Sequence, residues 1–383
     1  MDERLVYTNY MSLYDMPGAG VIDNNYLYYI CLNNNKLIKY NLLLGEIEKV
    51  YYIPIKNCKW WPYREMCLYQ KKIFLIPHTE KVISVLDLDT DRFYEINDDI
   101  FEGIQEKIAK FRHCLQEGRN LWLVSAETKQ VFVLDMDDNT IEGIDLSECN
   151  CTRELGQVML YGEYIYIVSR DEDPGVRIHR ENKTAYVWEP GREICYGAIV
   201  DGNIYYASAK KDIGGIWRRN IVTGDSEVVT SIIDDSEIKS YRYWNTTECD
   251  RKVCFLPVTS KEILMYDIDN KKIEYIDIIG GEIDNKKTLY DLIRYNDGYV
   301  VIPYCGEEIV VCASNFIMQK KICNKEEIKD FVNYQMNRGY ILENKVLEIN
   351  GIMKNLMLDM GEADSGRRDI GNQIHRNIMK ELD

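Results

Sequence analysis

The sequence predicts an all-β body of seven consecutive four-stranded antiparallel sheets arranged in a circle, followed by a short C-terminal α-helical extension. Three observations carry this reading. A segment of three short apolar or alternating runs, separated by polar turns, recurs seven times. A fourth run precedes each recurrence, and the strand pattern gives way to helical spacing after Lys321.

The seven segments begin at Tyr26, Lys72, Asn120, Tyr164, Asn203, Lys252 and Tyr299, spaced 46, 48, 44, 39, 49 and 47 residues apart. Within each, a first run such as Ile73-Phe74-Leu75-Ile76 is followed by a second such as Val82-Ile83-Ser84-Val85-Leu86, and then by a shorter, more polar third. The turn after the second run opens with Asn41, Asp87, Asp135 or Asp267, whose side chains can bond the backbone of a tight turn. The run ahead of each segment, for example Glu65 to Tyr69 or Gln157 to Tyr161, completes four strands per unit. Tyrosine is abundant, at 29 residues, and Tyr26, Tyr164 and Tyr299 open a strand; their rings are expected to fill space between sheets while the hydroxyls reach solvent or backbone.

A repeat of this length with four strands resembles the blade of a WD40-, kelch- or YVTN-like β-propeller, and the resemblance covers roughly residues 15 to 323. It implies a seven-bladed β-propeller of four-stranded antiparallel blades over residues 1–323, and the helical spacing that follows predicts a helical extension over 324–383. The resemblance is one of architecture: no GH…WD pairing and no double-glycine kelch signature is present, so it brings no function with it. One sheet cannot bury both its faces, so neighbouring blades must stack around an axis.

The ends carry their own expectations. Residues 1–14 either add an outer strand that closes the ring, through Leu5 to Tyr14, or cross one of its faces. Helices are expected over 325–337, 345–359 and 369–382, where Ile370, Ile374 and Ile378 fall four apart. They pack on the ring or present an apolar stripe to a partner.

With 46% apolar and 29% charged residues, the chain can fill a large core. Apolar residues never run unbroken for a membrane span, and MDERLVYTNY carries charges where a signal peptide needs an apolar centre, so a cytoplasmic location is expected. The twelve cysteines are scattered through strand patterns, as at Cys31, Cys254 and Cys312, which predicts buried reduced thiols. Cys149 and Cys151 lack the spacing and companion pair of a zinc site, and four histidines do not suggest a histidine-rich metal centre; no metal or cofactor is expected. A net charge of −16 argues against nucleic acid or an anionic membrane as the main partner.

One local pattern runs against that acidity. The six segments between consecutive repeats carry Trp60, Trp61, Tyr63 and Arg64; Arg112 and His113; Arg153; Arg192 and Tyr196; Tyr241, Arg242, Tyr243 and Trp244; and Tyr290 and Arg294. In a propeller these segments lead toward the axial channel. If they point inward, the arginine forks suit carboxylate or phosphate and the aromatic faces suit sugar rings or bases. The opposing reading has each arginine pair with a nearby acid such as Glu65, Glu154 or Glu193 and stitch blades together. The arginines stand at different distances from their repeats, so they need not share one level.

Enzyme signatures are missing. The sialidase Asp-box, repeated quinoprotein tryptophan motifs, G-x-S-x-G, the P-loop and a strand-to-helix G-x-G-x-x-G are all absent, and Asp171-Glu172-Asp173 before Pro174 reads as an exposed acidic turn. The sequence therefore points to a non-catalytic propeller that binds an unknown partner protein or a small anionic or carbohydrate-like ligand at the channel mouth. The alternative is a propeller enzyme acting on such a molecule in the channel.

Overall fold

The computed structural model describes residues 17–31, 35–55, 62–96, 110–126, 128–149, 155–169, 174–188, 194, 196–208, 215–231, 243–257, 262–277, 288–304, 308–314 and 318–323. They form seven four-stranded antiparallel sheets, the blades of a β-propeller. Blade 1 holds β1 (Pro17–Asp23), β2 (Tyr26–Cys31), β3 (Lys36–Asn41) and β4 (Glu46–Tyr52); blade 2 holds β5 (Tyr63–Tyr69), β6 (Lys72–Pro77), β7 (Ile83–Asp87) and β8 (Arg92–Ile96). Blade 3 is β9 (Phe111–Glu117), β10 (Asn120–Ser125), β11 (Gln130–Asp135) and β12 (Ile141–Asp145); blade 4 is β13 (Leu155–Tyr161), β14 (Tyr164–Ser169), β15 (Gly175–His179) and β16 (Ala185–Trp188). Blade 5 comprises β17 (Gly197–Val200), β18 (Asn203–Ser208), β19 (Gly215–Asn220) and β20 (Ser226–Ser231). Blade 6 comprises β21 (Tyr243–Cys249), β22 (Lys252–Pro257), β23 (Glu262–Asp267) and β24 (Lys272–Asp277), and blade 7 β25 (Thr288–Tyr295), β26 (Gly298–Tyr304), β27 (Glu308–Cys312) and β28 (Met318–Cys323). Six of the seven second strands start where the repeat places them, and β26 starts one residue earlier, at Gly298.

Alternation along each strand builds the core. In β10, Leu121 and Leu123 pack against blade 2 while Trp122 and Val124 pack against blade 4, and all four are fully buried. A strand covered on both faces therefore reads as a continuous apolar run, as NLWLV does. Further clusters join blades 4 and 5, 5 and 6, 6 and 7, and the last blade to the first. Burying each such Leu, Ile or Val stabilises the fold by about 1.5–3 kcal/mol, and much of that depends on the neighbouring sheet being present.

The strands run up and down, so all hairpins of the β1–β2 and β3–β4 kind gather at one end of the ring. Every first hairpin has a two-residue loop with at least one residue in the left-handed region, including Asn24 (φ 56°), Gln70 (φ 53°), Gly118 (φ 58°) and Asn296 (φ 53°). The second hairpins use the predicted polar residues. The Asn41 Oδ1 accepts from the N–H groups of Leu43 and Leu44, each at 3.0 Å. Asp87 does the same for Asp89 and Thr90, and Asp135 and Asp267 for Asp137 and Asn270. Of the strand-opening tyrosines, Tyr299 is buried between blades 6 and 7, and its hydroxyl donates to Asp250 Oδ2 at 3.0 Å rather than to backbone.

The four strands of every sheet are consecutive in sequence, so the seam between blades 1 and 7 is held by side chains. Gly20 on β1 is part of it: a Cβ there would stand 2.5 Å from Ile302 Cδ1 and 3.1 Å from Ile293 Cδ1. The Tyr295 hydroxyl donates to Asn25 Oδ1 across the seam at 3.1 Å. Leu5 to Tyr14 and the helices expected after residue 324 lie outside the described residues. Among the described cysteines, Cys31, Cys67, Cys149, Cys249, Cys254 and Cys312 are buried free thiols and Cys114 is a half-buried one. No helix among the described residues is long and apolar enough to cross a membrane.

Candidate functional site

The first strand of each blade lies at one edge of its sheet and touches the first strand of the next blade all the way around the circle, so these seven strands line the axis. Six of them carry a register shift at the same place, near the end opposite the hairpins. There Tyr63 pairs with Pro77 but Glu65 with Ile76; Phe111 and His113 pair with Ser125 and Val124; Tyr243 and Asn245 with Pro257 and Leu256; Leu289 and Asp291 with Pro303 and Ile302. β1 and β13 shift between Pro17 and Gly20 and between Leu155 and Val158. A bulge re-aims the side chains beside it, and the residue within or directly after it marks a level that Tyr196 shares in blade 5, where β17 carries no shift.

That level is polar. It holds Ala19, Glu65, His113, Gln157, Tyr196, Asn245 and Asp291, each seven residues ahead of the first residue of its blade's second strand. The side chains reach one another around the axis. Gln157 donates through Nε2 to the Thr246 carbonyl at 2.7 Å and accepts at Oε1 from the Gly197 N–H at 3.0 Å, so one amide ties blades 4, 5 and 6. His113 Nδ1 stands 3.6 Å from Glu65 Oε1, and its ring meets Tyr196 edge-on with centroids 6.0 Å apart. Asn245 and Asp291 each accept the N–H of the following residue at 2.8 Å.

The carboxyls are far from ordinary. Burial pushes Glu65 up to about 7, with the adjacent Arg64 pulling weakly the other way. Burial, reinforced by the negative charge of Glu65, pushes Asp291 up to about 7 as well. Between them lies blade 1, whose contribution to the level is the methyl of Ala19. The Cys114 thiol is raised well above its usual value by burial and by Glu65, Cys67 and Asp291, which makes it a poor nucleophile. Among the described residues, no three His, Cys, Asp or Glu side chains are grouped to hold a metal ion.

The residues singled out from sequence separate into three sets. His113 and Tyr196 belong to the polar level. Arg64 and Arg112 occupy the bulge just ahead of it, both buried, and the backbone places Trp244 at the corresponding step of β21 and Tyr290 at that of β25. Arg294 lies four residues further along β25, exposed, and donates to Asp250 Oδ1 of blade 6 at 2.6 Å; here the stitching role is the one observed. Trp60, Trp61, Arg153, Arg192, Tyr241 and Arg242 lie outside the described residues. Glu65, Gln157, Asn245 and Asp291 were not singled out as binding residues. Their signal is a polar side chain at a fixed step inside an otherwise apolar strand, which a search for one residue type passes over.

No protein-family model and no curated protein matches the chain. Solved structures do match. A virginiamycin B lyase from Staphylococcus aureus is 12% identical with a TM-score of 0.57, over 76% of this chain and 92% of its own. The WD40 repeats of RRP9 give 10% identity and a TM-score of 0.55, over 75% and 87%. A structure of YCF48 bound to D1 peptide gives 8% and 0.54, over 78% and 93%. At these identities the likeness is one of fold, which agrees with the seven blades described above.

Proposed function

We propose that the protein is a non-catalytic propeller that binds a small, hydroxyl-rich anionic ligand of the sugar-acid kind at the axial mouth away from the hairpins. The observation that carries this reading is the polar level itself. Six of the seven blades place a carboxyl, imidazole, amide or phenol at one level of the strands that line the axis, or directly ahead of one, and such groups both donate to and accept from hydroxyls. The buried guanidinium groups of Arg64 and Arg112 on the preceding residues supply positive charge for a carboxylate. Calorimetry and thermal-shift measurements with galacturonate, glucuronate and neutral galactose test it. Saturable binding of the acids, weakened tenfold or more in Asn245→Ala and Tyr196→Phe variants that melt normally, is the expected result. Binding of an acidic peptide instead, for which the peptide-bound YCF48 propeller is a precedent of fold, would replace the ligand while keeping the site.

A second reading has one observation in its favour. Glu65 and His113 stand 3.6 Å apart, and two carboxyls beside the axis titrate near neutrality, as general acid–base groups do. On that reading the chain acts on a carbohydrate or other anionic molecule in the channel. Product formation from an oligogalacturonide that disappears in Glu65→Gln would establish it.

A further inference from the structure

We propose that Glu65 and Asp291 form a charge switch at the axis: the two carboxyls gain and lose protons at one level, and their charge sets how readily the mouth accepts an anion. The functional half of this inference rests on the ligand-binding reading above; the switch itself does not.

The geometry supplies the argument. Both carboxyls sit at one level, on the two strands that flank β1, and β1 contributes Pro17, Gly18, Ala19 and Gly20 there, with no hydrogen-bonding or charged side chain to hold them apart. The groups facing them on the other first strands can be named one by one. β5 brings Arg64 and Cys67, β9 brings Arg112, His113 and Cys114, and blade 5 brings Tyr196. Gln157 and Asn245 from β13 and β21 are uncharged, and the second-strand partners of the two carboxyls are Ile76 and Ile302. Gln157 is committed to Gly197 and Thr246, and Asp291 accepts the N–H of Leu292. Two like charges sharing a poorly solvated level cannot both form cheaply, so they take up and lose protons as a pair. Burial raises the titration of both, and the charge of Glu65 raises Asp291 further.

The consequence for a ligand follows by linkage. With both carboxyls protonated the level offers neutral donors and acceptors beside two arginines; with both ionised the positive charge of the arginines is balanced and the carboxyl donors are lost, so a carboxylate is held less well. For each proton that binding requires, affinity for an anion falls about tenfold per pH unit above the transition.

The test is a comparison of hydrogen-ion titration curves of the full chain and its Glu65→Gln, Asp291→Asn and double variants. Expected are up to two protons taken up by the wild type between about pH 8 and pH 6 that the double variant does not take up. Curves that superimpose above pH 6 overturn the switch. A His113→Gln variant separates the imidazole from the carboxyls: if it alone removes the difference, the switch is again overturned. Calorimetry with galacturonate at pH 6 and pH 8 reads the second half, with binding about tenfold or more weaker at pH 8 in the wild type and pH-independent in the double variant. Equal affinity at both pH values overturns the link to binding. No binding at either, with the titration difference intact, sinks the ligand reading and leaves the switch standing.

Discussion

The two ends of the ring use the same chemical group in opposite ways. At the hairpin end, Asp87, Asp138 and Asp267 sit in turns, where the backbone N–H groups of Thr90, Thr140 and Asn270, the threonine hydroxyls and the Asn270 side-chain amide donate to them and hold them below the usual carboxylate range. At the opposite end, Glu65 and Asp291 stand half-buried at one level on the strands flanking β1 and lie well above it. Connections differ to match. The first hairpins turn in two residues, whereas fourteen residues join Ile96 to Phe111 and eleven join Ser231 to Tyr243. One end is built for closure and the other spends stability on a polar level, the usual division between scaffold and site.

Breaking the scaffold should have the largest effect. Gly20→Val puts methyl groups where even a Cβ would crowd Ile302 and Ile293, and should cost about 1–3 kcal/mol in chemical denaturation. Gly197→Val, whose Cβ would lie 2.8 Å from Ile204 Cγ1, should behave alike within blade 5.

The pH dependence sharpens the contrast. Because Glu65 and Asp291 bind protons more tightly folded than unfolded, their contribution is fully present below the ordinary carboxylate range and is lost as pH rises to about 7. The side chain of Glu65 is still 25% exposed, so water offsets part of the penalty, and the two together should remove on the order of 2–4 kcal/mol between pH 5 and pH 8. The turn aspartates act in the reverse sense: their contribution is present above the ordinary range and is lost as pH falls below it. Melting temperature should therefore peak near pH 5, and the Glu65→Gln, Asp291→Asn double variant should flatten the alkaline side alone.

Smaller effects test single turns and clasps. Asn41→Ala strands the N–H groups of Leu43 and Leu44 and should cost about 1 kcal/mol, with ligand binding unchanged. Tyr295→Phe removes the bond to Asn25 and should cost about 0.5–1 kcal/mol. Arg251, clasped to Asp201 and Asp269, should give the smallest change, one that disappears at high salt.

The repeat made the scaffold legible. Strand starts and the turn residues Asn41, Asp87, Asp135 and Asp267 are written in local chemistry, because each turn must satisfy its own backbone. The polar level is not local. Glu65, Gln157, Asn245 and Asp291 differ in type and stand tens of residues apart, so what they share is a register that becomes visible only when second strands are aligned to the residue. Placing the seventh segment at Tyr299 instead of Gly298 shifts that alignment by one and hides Asp291. The arginines follow a related rule: a residue type repeated near each blade need not occupy one height, and Arg294 lies toward the other end from Arg64 and Arg112.

That every sheet is made of neighbouring strands has a consequence for biosynthesis. A ribosome releases blade 1 first and blade 7 last, so Leu27, Tyr29 and Ile38 must wait for Val300, Ile302 and Ile309 through nearly the whole period of translation. The nascent chain thus carries one greasy flank until its final sheet arrives, and chaperone dependence should end abruptly when that sheet emerges.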